Sequence, residues 1–203
     1  MKITAFIITS EKYEDRRNRI RNTWGKKIDY LFVSDHEDHD TIKITEENNY
    51  QSAEIKSIKI KNEMPDRYLD NDYFFFCDDD TFLNADLLKA ELSSFKKNCI
   101  YGHIMNCWPP DTTLNFLSGG SGYLISKEVL IPIMGEIPVL NSGANDVTLG
   151  FFFREKKIKI AHDDRFNPFT PESMKKNEVK KNFTFHYIQN DELMNELFIK
   201  CNK

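Results

Sequence analysis

Tyr73-Phe74-Phe75-Phe76-Cys77-Asp78-Asp79-Asp80-Thr81-Phe82 is the stretch on which the reading of this chain turns. Its apolar first half is short, aromatic and uninterrupted, the pattern of a strand buried on both faces. The three carboxylates then emerge together at the C-terminal end of that strand, where open α/β sheets place their ligands. Like charges packed this closely repel one another, and a shared cation relieves the repulsion. A divalent metal carrying a phosphate-bearing ligand meets that need. The plain alternative, for any run of aspartates, is an acidic turn facing solvent.

Upstream of this stretch, strand and helix patterns alternate. Residues 3–8 read as a strand, 11–26 as a charged helix with Ser10 as its N-cap, and 29–33 as a second strand ending at Ser34-Asp35. Ile20 and Trp24, four apart, share the inner face of that helix. A short strand over 41–45, a helix over 52–64 closed by Pro65 and a helix over 85–97 complete the first half. Such alternation predicts an α/β fold with a Rossmann-like, mainly parallel central sheet flanked by helices. The second half is less regular: a strand over 99–104, a loop at Trp108-Pro109-Pro110-Asp111, a glycine cluster at 119–122, and a helix from about Asp146. Strands over 158–160 and 183–188 and a terminal helix over 191–201 follow. No repeat or linker divides the chain, so 1–203 reads as a single domain.

Composition narrows the classes. A net charge of −4 gives no basic face for nucleic acid. The apolar run at 3–8 is far too short to span a bilayer, and neither a signal peptide nor a transmembrane helix is visible. Cys77, Cys99, Cys107 and Cys201 form no CxxC pair. The expectation is a soluble, reduced, cytoplasmic protein.

Each chemical motif has a plain reading beside the functional one. A haloacid-dehalogenase phosphatase needs DxDxT, and Phe82 stands where the threonine belongs, which leaves a nucleotide-sugar site as the better match to the aspartates. Gly119-Gly120-Ser121-Gly122 has neither GxGxxG nor Walker spacing; it suits a bulge, or a backbone brought close to a sugar or phosphate. Asp146, at a helix start, suits an N-cap or a general base that takes a proton from an acceptor hydroxyl. His186, alternating with apolar neighbours, suits a structural histidine or a nitrogen donor to a nearby metal. His162 with Asp163-Asp164 reads as a surface loop, and His36 and His39 as an acidic, solvated turn.

In this order the pieces resemble the family-31 glycosyltransferases, the Fringe-like and core 1 β-1,3-galactosyltransferase-like enzymes, in a minimal form. Arg16-Arg17-Asn18-Arg19-Ile20-Arg21-Asn22-Thr23-Trp24 is similar to the family's RRxxIRxTW helix, and 75–81 to its DxD segment. SGGSGYLIS at 118–126 matches its glycine-rich segment, 145–150 resembles E/D-D-V-x-x-G, and 166–172 with 185–188 resembles the core 1 tail. The resemblance implies a GT-A fold with a nucleotide-binding half over about 1–104 and an acceptor half, carrying a smaller subsheet, over about 105–203. It implies inverting transfer of a hexose or N-acetylhexosamine from a UDP-sugar to a hydroxyl of a glycan or glycoconjugate, forming a β-1,3 linkage with manganese or magnesium. Asp80 and His186 would hold the metal with Asp78, Asp146 would be the base, and Thr9, Asp35, Lys56, Asp78, Asp79 and Gly120 would bind the donor. A non-catalytic binding or chaperone module is the alternative; such proteins tend to lose the DxD that this chain keeps. Animal members of the family carry a membrane anchor, a stem and paired cysteines that are not found here, and Asn145 replaces the acid that often precedes the base. Acceptor contacts are expected from the loops at 108–113 and 141–144.

Overall fold

The computed structural model describes residues 1–49, 51–106, 111–140, 144–171 and 176–202. Its strands are β1 (Ile3–Ile8), β2 (Asp29–Ser34), β3 (Thr41–Lys43), β4 (Tyr73–Asp78), β5 (Phe82–Leu83), β6 (Cys99–Gly102), β7 (Ile104–Met105), β8 (Phe116–Leu117), β9 (Tyr123–Ser126), β10 (Lys159–His162) and β11 (Thr184–Phe185). Its α-helices are α1 (Glu14–Asn22), α2 (Ser52–Asn62), α3 (Ala85–Glu91), α4 (Lys127–Leu130), α5 (Asn145–Glu155), α6 (Lys176–Val179) and α7 (Asp191–Cys201).

A seven-stranded sheet in the order β10-β6-β9-β4-β1-β2-β3 forms the centre, and two-stranded sheets β11-β5 and β7-β8 lie beside it. The central sheet is mixed and mainly parallel: β9 runs antiparallel to both β4 and β6, and the other neighbours pair in parallel. Side chains alternate between the two faces of each strand. Ile3, Ala5, Ile7, Tyr73, Phe75 and Cys77 therefore enter one core, with Ile20, Trp24, Leu88 and Met194 from the helices. Phe6, Ile8, Phe74 and Phe76 enter the other, with Ile58, Ile60, Leu149 and Phe152. Both faces are covered, which is why β4 reads as an unbroken apolar run.

The helix predicted over 11–26 is divided. A 3-10 turn at Glu11–Tyr13 leads into α1, and Thr23, with φ −120° and ψ −114°, breaks the helix before a second 3-10 turn at Trp24–Lys27. Trp24 is thereby freed to donate its indole N–H to the Thr81 carbonyl at 3.0 Å, which fastens the turn that follows the aspartates. Ser10 makes no side-chain cap; Asp35, from the end of β2, accepts the Glu11 N–H at 3.2 Å instead. The helix predicted over 85–97 ends at Glu91, and Phe95 turns extended into the core, where its carbonyl accepts from the Tyr73 hydroxyl at 3.0 Å.

Helix α2 buries Ser52, Glu54, Lys56, Ser57 and Lys61 together with Ile58 and Ile60. Lys61 is fully enclosed: its Nζ donates to the Ser57 carbonyl at 2.7 Å and the Ser57 hydroxyl at 2.8 Å, and lies 4.1 Å from the centre of the Phe76 ring. Burial lowers its pKa to about 7, although Asp146 and Asp78 pull the other way. An unfolded lysine holds its proton to about pH 10.4. Between those two values the unfolded chain binds more protons, so this residue's contribution makes stability rise with pH. Lys61→Met keeps the apolar stem without a buried charge and is expected to stabilise at pH 7 by ~1 kcal/mol or more, or ~2–4 °C in Tm for a chain of this size. Thermal melts from pH 7 to 10 should show that gap narrowing; a Met variant less stable at every pH contradicts the assignment.

Candidate active site

The strand order places the site. From β1 the chain moves to β2 and β3 on one side, then returns to β4 on the other side of β1. The order reverses between β1 and β4, and such a switch opens a crevice beyond the carboxyl ends of the two strands. Thr9 leaves β1 and Asp78, Asp79 and Asp80 leave β4 at this point, and the Thr9 hydroxyl donates to Asp79 Oδ2 at 2.7 Å across the gap. The aspartate turn is held from three sides. Thr81 Oγ1 donates to the Gly120 carbonyl at 2.7 Å, the Ile188 N–H donates to the Asp80 carbonyl at 2.9 Å, and Trp24 holds Thr81 as described.

His186 arrives through strand pairing. β11 runs antiparallel to β5 with Phe185 opposite Phe82, so the residue after Phe185 comes up beside the aspartates. One ligand atom each from Asp78, Asp80 and His186 falls within a 4.8 Å span, and His186 Nε2 lies 3.1 Å from Asp80 Oδ1. Gly120 leaves room for the imidazole: a Cβ at this position would sit 2.0 Å from a His186 ring carbon. Burial, with the charges of Asp80 and Asp146, pushes the Asp78 carboxyl up to about 7. Burial pulls the His186 pKa down, but the hydrogen bond to Asp80 and the nearby carboxylates more than offset it, and the net shift is upward. Two carboxylates and one imidazole are oxygen and nitrogen donors suited to manganese or magnesium, and a divalent cation would relieve the repulsion that raises Asp78. The residues fit such an ion.

Asp146 is the second residue of α5, and the N-cap position belongs to Ala144. Its Oδ2 accepts the Gly119 N–H at 2.9 Å, and a Cβ on Gly119 would come within 2.6 Å of its Oδ1. Burial raises its pKa, while the Gly119 N–H and its own backbone N–H hold the rise in check. Asp146 lines the same cleft of about 650 Å³ as Asp78, Asp80, Gly120 and His186. That volume suits a nucleotide-sized ligand.

The remaining predicted donor residues form a buried network at one end of the cleft. Lys56 Nζ donates to Asp35 Oδ1 at 2.8 Å and to the Thr9 carbonyl at 2.9 Å, so its charge is engaged with Asp35. Burial alone would raise the Asp35 pKa, but the Lys56 hydrogen bond and charge bring it down to about 2. Asp79 turns away from the metal cluster toward Thr9 and toward Arg16 Nη1, at 2.8 Å. The sequence assigns Arg16 no role of its own; its signal is its place at the head of the 16–24 segment that resembles RRxxIRxTW. Of the loops expected to meet an acceptor, 108–110 and 141–143 lie outside the described residues, as does Glu172 of the tail motif.

Two other clusters hold metal-type donors. His162 Nδ1 accepts the Ile104 N–H at 2.9 Å, which puts its proton on Nε2, 2.7 Å from Asp164 Oδ1. In that tautomer Nε2 has no lone pair to offer a metal, so His162 and Asp164 form a hydrogen-bonded pair, with the His103 ring packed edge-on against His162 at 4.8 Å between centroids. Asp38, His39 and Asp40 sit at the surface, with Asp40 bound by Arg21 at 2.7 Å and 2.8 Å. Among the described residues no helix is long and apolar enough to cross a membrane.

The model of the Fringe-like family matches residues 2–202. The glycoprotein-N-acetylgalactosamine 3-beta-galactosyltransferase 1 of Xenopus laevis is 27% identical over 208 residues, which cover 92% of this chain and 57% of that protein. The chain thus spans little more than half the length of that relative. In fold it is similar to a glycosyltransferase involved in glycosylating the major capsid of PBCV-1, with TM-score 0.62, 11% identity and coverage of 98% of this chain and 100% of that one. It is also similar to the glycosyltransferase GlyE of Streptococcus pneumoniae TIGR4, with TM-score 0.57, 12% identity and coverage of 99% and 62%. At such identities the likeness is one of fold, and it is the GT-A type of α/β architecture. With the family match running nearly end to end over that architecture, the chain belongs to the Fringe-like family of glycosyltransferases.

Proposed function

We propose that the protein is an inverting, metal-dependent glycosyltransferase that moves a hexose or N-acetylhexosamine from a UDP-sugar to a hydroxyl of a glycan or glycoconjugate through a β-1,3 linkage. The observation that carries this reading is the convergence of Asp78, Asp80 and His186 with Asp146 on one cleft at the sheet's switch point. Asp80 and His186, with Asp78, would hold manganese or magnesium. When bound, that ion offsets the charge that develops on the departing diphosphate. Asp35 and Thr9, fixed by Lys56, sit at the nucleotide end, and Gly120 lets the backbone approach the donor sugar. The Gly119 amide engages Asp146 Oδ2, so Oδ1 is the atom left to take the acceptor hydroxyl proton. Its raised pKa makes it a better base than an exposed aspartate. A single displacement aided by one base inverts the anomeric centre, so an α-linked donor gives a β-linked product. The β-1,3 assignment is supported by the name of the Xenopus laevis relative.

UDP release with Mn²⁺ across UDP-Gal, UDP-GlcNAc, UDP-GalNAc and UDP-Glc tests this reading. One donor is expected to turn over with a suitable acceptor, and NMR of the product should show a β anomer. If none of the four binds or turns over with metal present, the reading fails.

A further inference from the structure

Helix α1 carries four arginines, and three of them are bound to the protein. Arg17 donates to the Ser10 and Glu11 carbonyls, Arg19 to Asp15, Asp191 and the Ile188 carbonyl, and Arg21 to Asn18, Asp38 and Asp40. Arg16 differs. Its Nη1 donates to Asp79 Oδ1 at 2.8 Å and lies 3.7 Å from Asp80 Oδ2. Its guanidinium is steadied over the Tyr13 ring, 4.3 Å from the ring centre. Among the described residues nothing else accepts from it, and the half-buried group lines the cleft beside Thr9, Ser10 and the aspartates. A guanidinium has five N–H donors in a planar fork, so one contact with Asp79 leaves most of them free.

We propose that Arg16, which approaches Asp80 Oδ2 while His186 approaches Oδ1, is a donor-binding residue whose free N–H groups grip the diphosphate of a nucleoside diphosphate. The inference rests on the cleft being the donor site proposed above. Arg16 lies within 4 Å of a carboxylate of the metal cluster, so a phosphate oxygen held at that cluster falls within reach of its fork. Planar, forked donors match phosphate oxygens better than an ammonium does. Asp79 gains a role from this: buried and tied to Thr9, it aims Arg16, and is not itself a metal ligand.

The test compares UDP with uridine by isothermal titration in the presence of Mn²⁺. Arg16→Ala is expected to weaken UDP binding by tenfold or more and to change uridine binding less than twofold, with Arg16→Lys in between for UDP. Equal weakening of UDP and uridine, or no change in either, overturns the inference. If Arg16→Ala unfolds because Asp79 is left unpaired, the Arg16→Ala/Asp79→Asn double variant carries the same comparison against Asp79→Asn. Should the wild type bind no UDP, the donor-site reading falls and this inference with it. Should the wild type bind UDP and Arg16→Ala bind it equally well, only the inference falls.

Discussion

Asp146→Asn is expected to lower sugar transfer by about 10²–10⁴-fold, the range for removing a positioned general base, while leaving Mn²⁺-supported UDP binding within twofold of wild type. Asparagine keeps the size of the side chain and an oxygen to accept the Gly119 N–H, now at 2.9 Å. What it loses is a basic oxygen facing the cleft. A separation of turnover from donor affinity is therefore the mark of a base, whereas a scaffold residue would change both. The pH profile gives a second reading. Burial raises the Asp146 pKa, so the acid limb of kcat should lie above the range of an ordinary aspartate, and the asparagine variant should lose that limb. Parallel losses of turnover and UDP affinity would move Asp146 out of the catalytic role.

Gly120→Ala should remove most metal-dependent donor binding although it adds only one methyl group. The new Cβ would meet three His186 ring atoms at 2.0, 2.2 and 2.5 Å, distances that no packed side chains share. The imidazole is stacked on Tyr187, with ring centroids 3.8 Å apart, and the His186 main-chain N–H donates to the Phe169 carbonyl, so the residue has little freedom to retreat. Displacing it breaks the cluster with Asp78 and Asp80, and the expected loss of Mn²⁺-dependent UDP affinity is at least ~10–100-fold, as for disturbing a ligand's support. The Thr81 contact uses the Gly120 carbonyl, which alanine retains, so the melting transition should persist. A Gly120→Ala protein that binds UDP with Mn²⁺ as the wild type does would remove His186 from the metal site.

The parts of this fold that were legible in the sequence are those where hydropathy and burial coincide. β4 and its aspartates, the strand–helix alternation and α7 are of this kind, because both faces of the sheet are covered and polar residues mark the strand ends. Asp80 and His186 lie more than a hundred residues apart, and composition offers no link between them; the family resemblance suggested it, and the β5–β11 register brings them together. Helix α2 was legible as a helix over 52–64, but the burial of its charged residues was not, because each has a specific partner: Lys56 with Asp35, Glu54 with Thr148, Lys61 with Ser57. Such partners come from other elements or from the helix's own carbonyls, and no local pattern announces them. The break at Thr23 has the same character. It lets Trp24 reach Thr81, a tertiary contact that overrides the helical pattern of the α1 segment. Arg16 was obscured among four arginines of one helix, and only their different partners separate it from the rest.

The central claim is that Asp78, Asp80 and His186 together bind a nucleoside diphosphate through a divalent metal. Isothermal titration of UDP into the wild type and Asp80→Ala, each with Mn²⁺ and with EDTA, tests it most directly. The account predicts saturable one-to-one binding for the wild type with Mn²⁺, and a loss of at least tenfold in affinity on adding EDTA or on replacing Asp80. Equal UDP affinity under all four conditions, or no binding by the wild type with Mn²⁺, would contradict it.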